Sequence, residues 1–142
     1  MVIEWNKLKT CDGHSNPNEI PMAIENLFSD NKEIRKKGYW GIDNHVVVQS
    51  DLYDSAPYAA RLIVDKLLSN KLITIEVVKI LSELYNGYGQ EILHVGPLSG
   101  RRIDELCKEI IHESESYLSS SIGNLSGELA DEVNNLLRVL SG

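Results

Sequence analysis

Four histidines and two cysteines are the residues of this sequence best suited to metal or nucleophilic chemistry, and their spacing supports neither. His14, His45, His94 and His112 fall in different segments, without the i, i+4 spacing that would put two imidazoles on one helical face around a metal. Cys11 and Cys107 have no CxxC and no Cys/His cluster beside them, which reads as two reduced thiols rather than a disulfide or a ligand pair. Gly87-Tyr88-Gly89 is a GxG fragment with neither a third glycine nor a helix directly after it, so it is no dinucleotide loop. The phosphate-loop, zincin and nucleophile-elbow patterns do not occur. No catalytic residue, metal ligand or cofactor is therefore expected.

What remains is the chemistry of recognition. Tyr39 and Trp40 follow Gly38, and one of the two must point away from the helix packing stripe, where an exposed aromatic is a typical interface anchor. The alternative for Trp40 is packing against the N-terminal arm. His94, flanked by Leu93 and Val95, stands in a glycine-rich stretch with no evident acid or nucleophile beside it, and so reads as a contact residue. Tyr88 and Glu91 share that stretch. Glu128, Asp131 and Glu132 stand near the start of the last apolar-periodic segment and belong to a charge gradient. Residues 1–102 carry 13 acids and 12 bases, whereas residues 103–142 carry 8 acids and 2 bases, so the last forty hold nearly all of the net charge of -7. Such a field suits a basic protein partner and repels a phosphate backbone, which argues against a general nucleic-acid binder. A solvated helix face that keeps the chain soluble accounts for the same acids.

The elements that must position these residues are helical. Apolar residues recur every three or four positions, and the breaks carry turn chemistry, as in Ser29-Asp30-Asn31. A first helix is expected from about Asn18 to Phe28, with Ile20, Ile24, Leu27 and Phe28 inward. Asp30 and Glu33 have capping-box spacing, so a second helix starts there and runs to about Val48, with Ile34, Gly38, Ile42 and His45 or Val46 inward. The triplet Val46-Val47-Val48 would fit a strand, but it is short against the helical pattern before it. Pro57 opens a third helix, Thr74 caps a fourth that is apolar on more than one side, a fifth spans about Arg101 to Leu118, and a sixth follows Asn124. Residues 86–100 form a long loop between them. The first sixteen residues are a loosely attached arm in which Val2, Ile3 and Trp5 can dock.

The fold class is thus all-α. Six antiparallel helices pair as three hairpins in a short α-solenoid, at intervals scattered around the roughly 40 to 47 residues of HEAT or armadillo units. Residues 1–142 make one domain, and the 42% hydrophobic fraction has no apolar run long enough to span a bilayer. The start, MVIEWNKLKT, has no secretory h-region, so the expected compartment is the cytoplasm and the free chain a monomer.

Residues 49–55, Gln-Ser-Asp-Leu-Tyr-Asp-Ser, with Trp40-Gly41 upstream and Ala56-Pro57 downstream, resemble a pattern that recurs in small bacterial HEAT-like proteins. The resemblance covers roughly residues 20–70. It departs in having Val46-Val47 where a His-containing segment is expected before the Gln, with His45 four residues ahead instead. Proteins of this kind are often encoded beside secreted or contact-dependent toxins and act as their immunity proteins. The resemblance implies no catalytic residues; it implies a protein partner, namely a toxin domain, many of which are nucleases with basic clefts. Two other readings stand beside it: a HEAT-like scaffold or adaptor binding another protein or peptide, and a HEAT-like DNA glycosylase, which would need a basic concave face. Tyr53 would wedge between helix pairs, and Asp54 or Ser55 would cap the third helix.

Overall fold

The computed structural model describes residues 1–10, 16–43, 45–48 and 51–142. The expectations for Cys11, for His14, for the Asp12-Gly13 turn and for the Gln49-Ser50 part of the resemblance lie outside the described residues.

Among the described residues the chain forms seven α-helices and one pair of two-residue strands. The first hairpin is α1 (Ile20–Asn26), entered through a 3-10 turn at Pro17–Glu19, and α2 (Lys32–Asp43). Ile20, Ile24, Leu27 and Phe28 are all buried, as their spacing requires. The α2 N-terminus is capped one residue later than the expected box: Asn31 Oδ1 accepts from the backbone N–H of Glu33 at 2.8 Å and of Ile34 at 3.2 Å. At Gly38 the two helices come close enough that a Cβ would lie 2.5 Å from the Ala23 carbonyl oxygen and 2.9 Å from the Leu27 nitrogen. Ile42 is fully buried on the same side, but Ile34 is exposed and His45 half-buried, so the inward row of α2 is shorter than its periodicity implies.

Helix α2 stops at Asp43 rather than reaching Val48. Val46 and Val47 are buried, and β1 (Val47–Val48) pairs antiparallel with β2 (Asp51–Leu52) in the register Val47 to Leu52 and Val48 to Asp51. The branched side chains, costly at χ1 in a helix and well suited to a pleat, decide this against the helical pattern before them. The Tyr53 N–H then donates to the Val46 carbonyl at 3.1 Å.

The second hairpin is α3 (Ser55–Asn70) and α4 (Ile75–Tyr85). The helical period of α3 puts Ala56, Ala59, Ala60, Ile63, Leu67 and Leu68 on one stripe; the first five are buried and Leu68 is half-buried. Neither Asp54 nor Ser55 caps α3 through its side chain; Ser55 Oγ instead donates to the Lys9 carbonyl at 2.9 Å. Together with buried Trp5 and Leu8, that bond fastens the described part of the N-terminal arm, so residues 1–10 are docked rather than loosely attached. Tyr53 is half-buried, and it is Tyr58 that is fully enclosed. Thr74 does cap α4, accepting from the Val77 N–H at 3.2 Å while its hydroxyl donates to the Leu27 carbonyl at 2.8 Å.

The expected fifth helix is divided into α5 (Ile103–His112) and α6 (Glu115–Ser121). Ser114, buried at the junction, donates from Oγ to the Ile111 carbonyl at 2.6 Å, a local bond that competes with a continuous helix. The last helix is α7 (Gly127–Ser141), buried along Val133, Leu136 and Leu140. Helices α1, α3 and α5 lie side by side in one layer, and α2, α4 and α7 in the other; α6 packs on α7 and closes the third hairpin. Helix α4 touches α2, α3, α5 and α7, the central place that its two-sided apolar pattern demands. A partly buried ion pair, Arg35 Nε to Glu76 Oε1 at 2.8 Å, ties the first hairpin to α4, and Arg61 bridges α3 to Glu113 through both carboxylate oxygens at 2.8 and 2.7 Å. No helix among the described residues is long and apolar enough to cross a membrane.

Candidate functional site

The second layer of the stack carries a seam of polar residues. Each of its three helices contributes a pair at i, i+4 spacing: Tyr39 and Asp43 from α2, Lys79 and Glu83 from α4, Glu128 and Glu132 from α7. Residues four apart share one helical face, so three such pairs on neighbouring helices meet across the grooves between them. Lys79 Nζ lies 3.6 Å from Glu128 Oε1, and Glu132 is close enough to act on the Tyr39 hydroxyl. Glu83 is at the centre. Its Oε2 is shut off from solvent and has no hydrogen-bond partner among the described residues. Burial pushes the Glu83 carboxyl up to about 8; the Asp43 carboxyl beside it adds to the rise, while the Tyr39 hydroxyl and Lys79 oppose it. Tyr39 is likewise pushed up, first by burial and then by Glu83, Asp43 and Glu132.

Trp40 stands next to this seam and outside it, 56% exposed, its ring edge-on to Tyr39 with centroids 5.1 Å apart. Tyr39 faces inward toward Glu83 and Trp40 is largely exposed, which decides between the two aromatics. Glu128 and Asp131 are exposed and Glu132 is half-buried. Four of the residues singled out from sequence, Trp40, Glu128, Asp131 and Glu132, are therefore carried by this layer. Tyr39, Asp43, Lys79 and Glu83 complete it; the i, i+4 pairs were the signal that could have found them.

Tyr88, Glu91 and His94 are carried elsewhere. Residues 86–100 are held by the fold rather than strung across it. The Leu52 N–H donates to the Tyr88 carbonyl at 2.7 Å, the Asp104 N–H to Gly89 and the Ile103 N–H to Glu91 at 2.9 Å, and Leu93 is fully buried. Further along, Tyr58 Oη donates to the Val95 carbonyl at 2.5 Å and accepts from the Leu98 N–H at 3.0 Å. Tyr88 and Glu91 line a cleft with residues from β2, the turn that leads into α3 and the first residue of α5, whereas His94 is exposed apart from it. The local sequence gives no signal for that cleft, because its two walls are more than thirty residues apart.

No group of three or more His, Cys, Asp or Glu among the described residues is disposed to hold a metal ion. Cys107 is fully buried, and burial raises its thiol far from the thiolate form that reacts. No protein-family model matches the chain, and neither a curated protein nor a solved structure matches it.

Proposed function

We propose that this protein is a binding protein that docks a basic protein partner on the α2, α4 and α7 layer, with Trp40 as the aromatic anchor. The observation that carries this reading is the exposed Trp40 on the same layer as the exposed acids Glu128 and Asp131 and the half-buried Asp43 and Glu132 of α2 and α7. An aromatic set in an otherwise charged surface supplies desolvated contact area, and the surrounding carboxylates speed the encounter and select a cationic partner. The pattern at residues 40–57 makes that partner a bacterial toxin domain, such as a nuclease, and the protein its cytoplasmic immunity protein, acting by covering the toxin's substrate cleft. It acts by occupancy and not by catalysis.

The second reading, a scaffold or adaptor for another protein or peptide, draws on the same hairpin stack. The identity of the neighbouring gene separates the two. Co-expression with that gene's product should yield a complex that survives purification and should restore growth to cells poisoned by the product alone. No complex and no protection would leave the adaptor reading in its place.

A further inference from the structure

Among the described residues, one side-chain atom is both sealed from solvent and without a hydrogen-bond partner: Glu83 Oε2, which the docking reading does not use. The groups that face Glu83 are Tyr39 and Asp43 from α2, Lys79 from its own helix and, acting through Tyr39, Glu132 from α7; α3 and α5 meet α4 from the other layer. They match an ionised carboxylate poorly. Asp43 is a second carboxylate, and it ends α2, whose last turn has no basic side chain to set against the negative end of the helix dipole. Lys79 is shared with α7, its Nζ 3.6 Å from Glu128 Oε1. Tyr39 has a single hydroxyl proton to offer. Ionised, Glu83 thus leaves a buried oxygen bare opposite a like charge, whereas protonated it becomes a donor toward Asp43.

We infer that Glu83 is a proton-operated clasp between α2 and α4: with its proton it holds the last turn of α2 against α4, and without it that turn parts from the groove and admits water. A second polar tie between the two helices, Arg35 to Glu76, stands at their N-terminal ends, so the loosening is confined to the C-terminal half of α2. Trp40 rides on that half, edge-on to Tyr39, and its surroundings therefore follow the state of the clasp. Burial of the carboxyl brings the change to about pH 8, within reach of neutral conditions. Glu128 biases the clasp from the surface, because whatever draws it away from Lys79 frees the ammonium for Glu83 and favours loss of the proton.

The test needs no partner. Backbone-amide and indole N–H spectra of the full chain are recorded between about pH 5.5 and 9.5, with the Trp40 indole assigned from Trp40→Phe. The Trp40 indole and the amides of residues 39–43 and 79–83 should move together with one midpoint near 8, while those of α3 stay in place. Glu83→Gln should abolish the transition, and Glu128→Gln, by releasing Lys79, should lower its midpoint by roughly half a pH unit. No transition above about pH 7, a transition that survives in Glu83→Gln, as one from His45 just beyond α2 would, or an unmoved midpoint in Glu128→Gln would each overturn the clasp. None of these outcomes depends on a bound protein, so the docking reading stands or falls separately.

Discussion

Glu83 holds a carboxyl whose protonation changes near neutral pH, and the sign of its effect on stability is fixed by the direction of the shift. With its folded pKa raised to about 8 from an ordinary 4.5, the folded protein keeps a proton that the unfolded chain has released across that window. Stability therefore falls as pH rises from about 4.5 to about 8, and the loss persists above it. The groups that face Glu83 are Tyr39 and Asp43 from α2 and Lys79 from its own helix, with Glu132 of α7 acting on Tyr39. A Glu83→Gln variant carries no charge to bury. Its unfolding free energy in urea should match the parent at pH 4 and exceed it at pH 8.5, by about 1 kcal/mol once the remaining solvent contact of the group is discounted. Parallel stability curves for the two proteins across this range would show that Glu83 does not hold the proton.

At the scale of elements, the hairpins depend on where two helices touch. The Gly38 backbone stands where a methyl group would strike the Ala23 carbonyl and the Leu27 nitrogen, both backbone atoms that cannot swing aside. Gly38→Ala should therefore destabilise by about 2 kcal/mol despite the better helix propensity of alanine, whereas Gly123→Ala, with nothing within 4 Å, should be close to neutral; thermal or urea unfolding of both decides it. The sequence made this approach legible, because two glycines in a helix interior call for a packing reason. The Thr74 cap and the α3 stripe were legible for the same kind of reason, being local. What was not legible depended on tertiary partners. Val46 to Val48 left the helix because Leu52 was there to pair with, and the arm docked because Ser55 reached back to Lys9; the break of the fifth helix at Ser114 rests on a local bond to the Ile111 carbonyl that the apolar periodicity does not register.

For the whole molecule, the two layers sort the candidate residues. Trp40, Glu128, Asp131 and Glu132, chosen for exposure and charge, come to one layer because each hairpin delivers its second helix there; Tyr88 and Glu91 meet a different wall, and His94 stands alone. Charge was readable from the chain, but the inward partners of that charge were not, since Glu83 and Asp43 become neighbours only when α2 and α4 pack. Calorimetric titration with the product of the neighbouring gene, at low and at high salt, tests the docking layer most directly. The parent protein should bind, and bind more weakly as salt rises, while E128K/D131K/E132K should lose most of the affinity and most of the salt dependence and Trp40→Ala should lose affinity with the salt dependence retained. Failure of the parent to bind, or a charge-reversed protein indistinguishable from it, would contradict a partner held on this face.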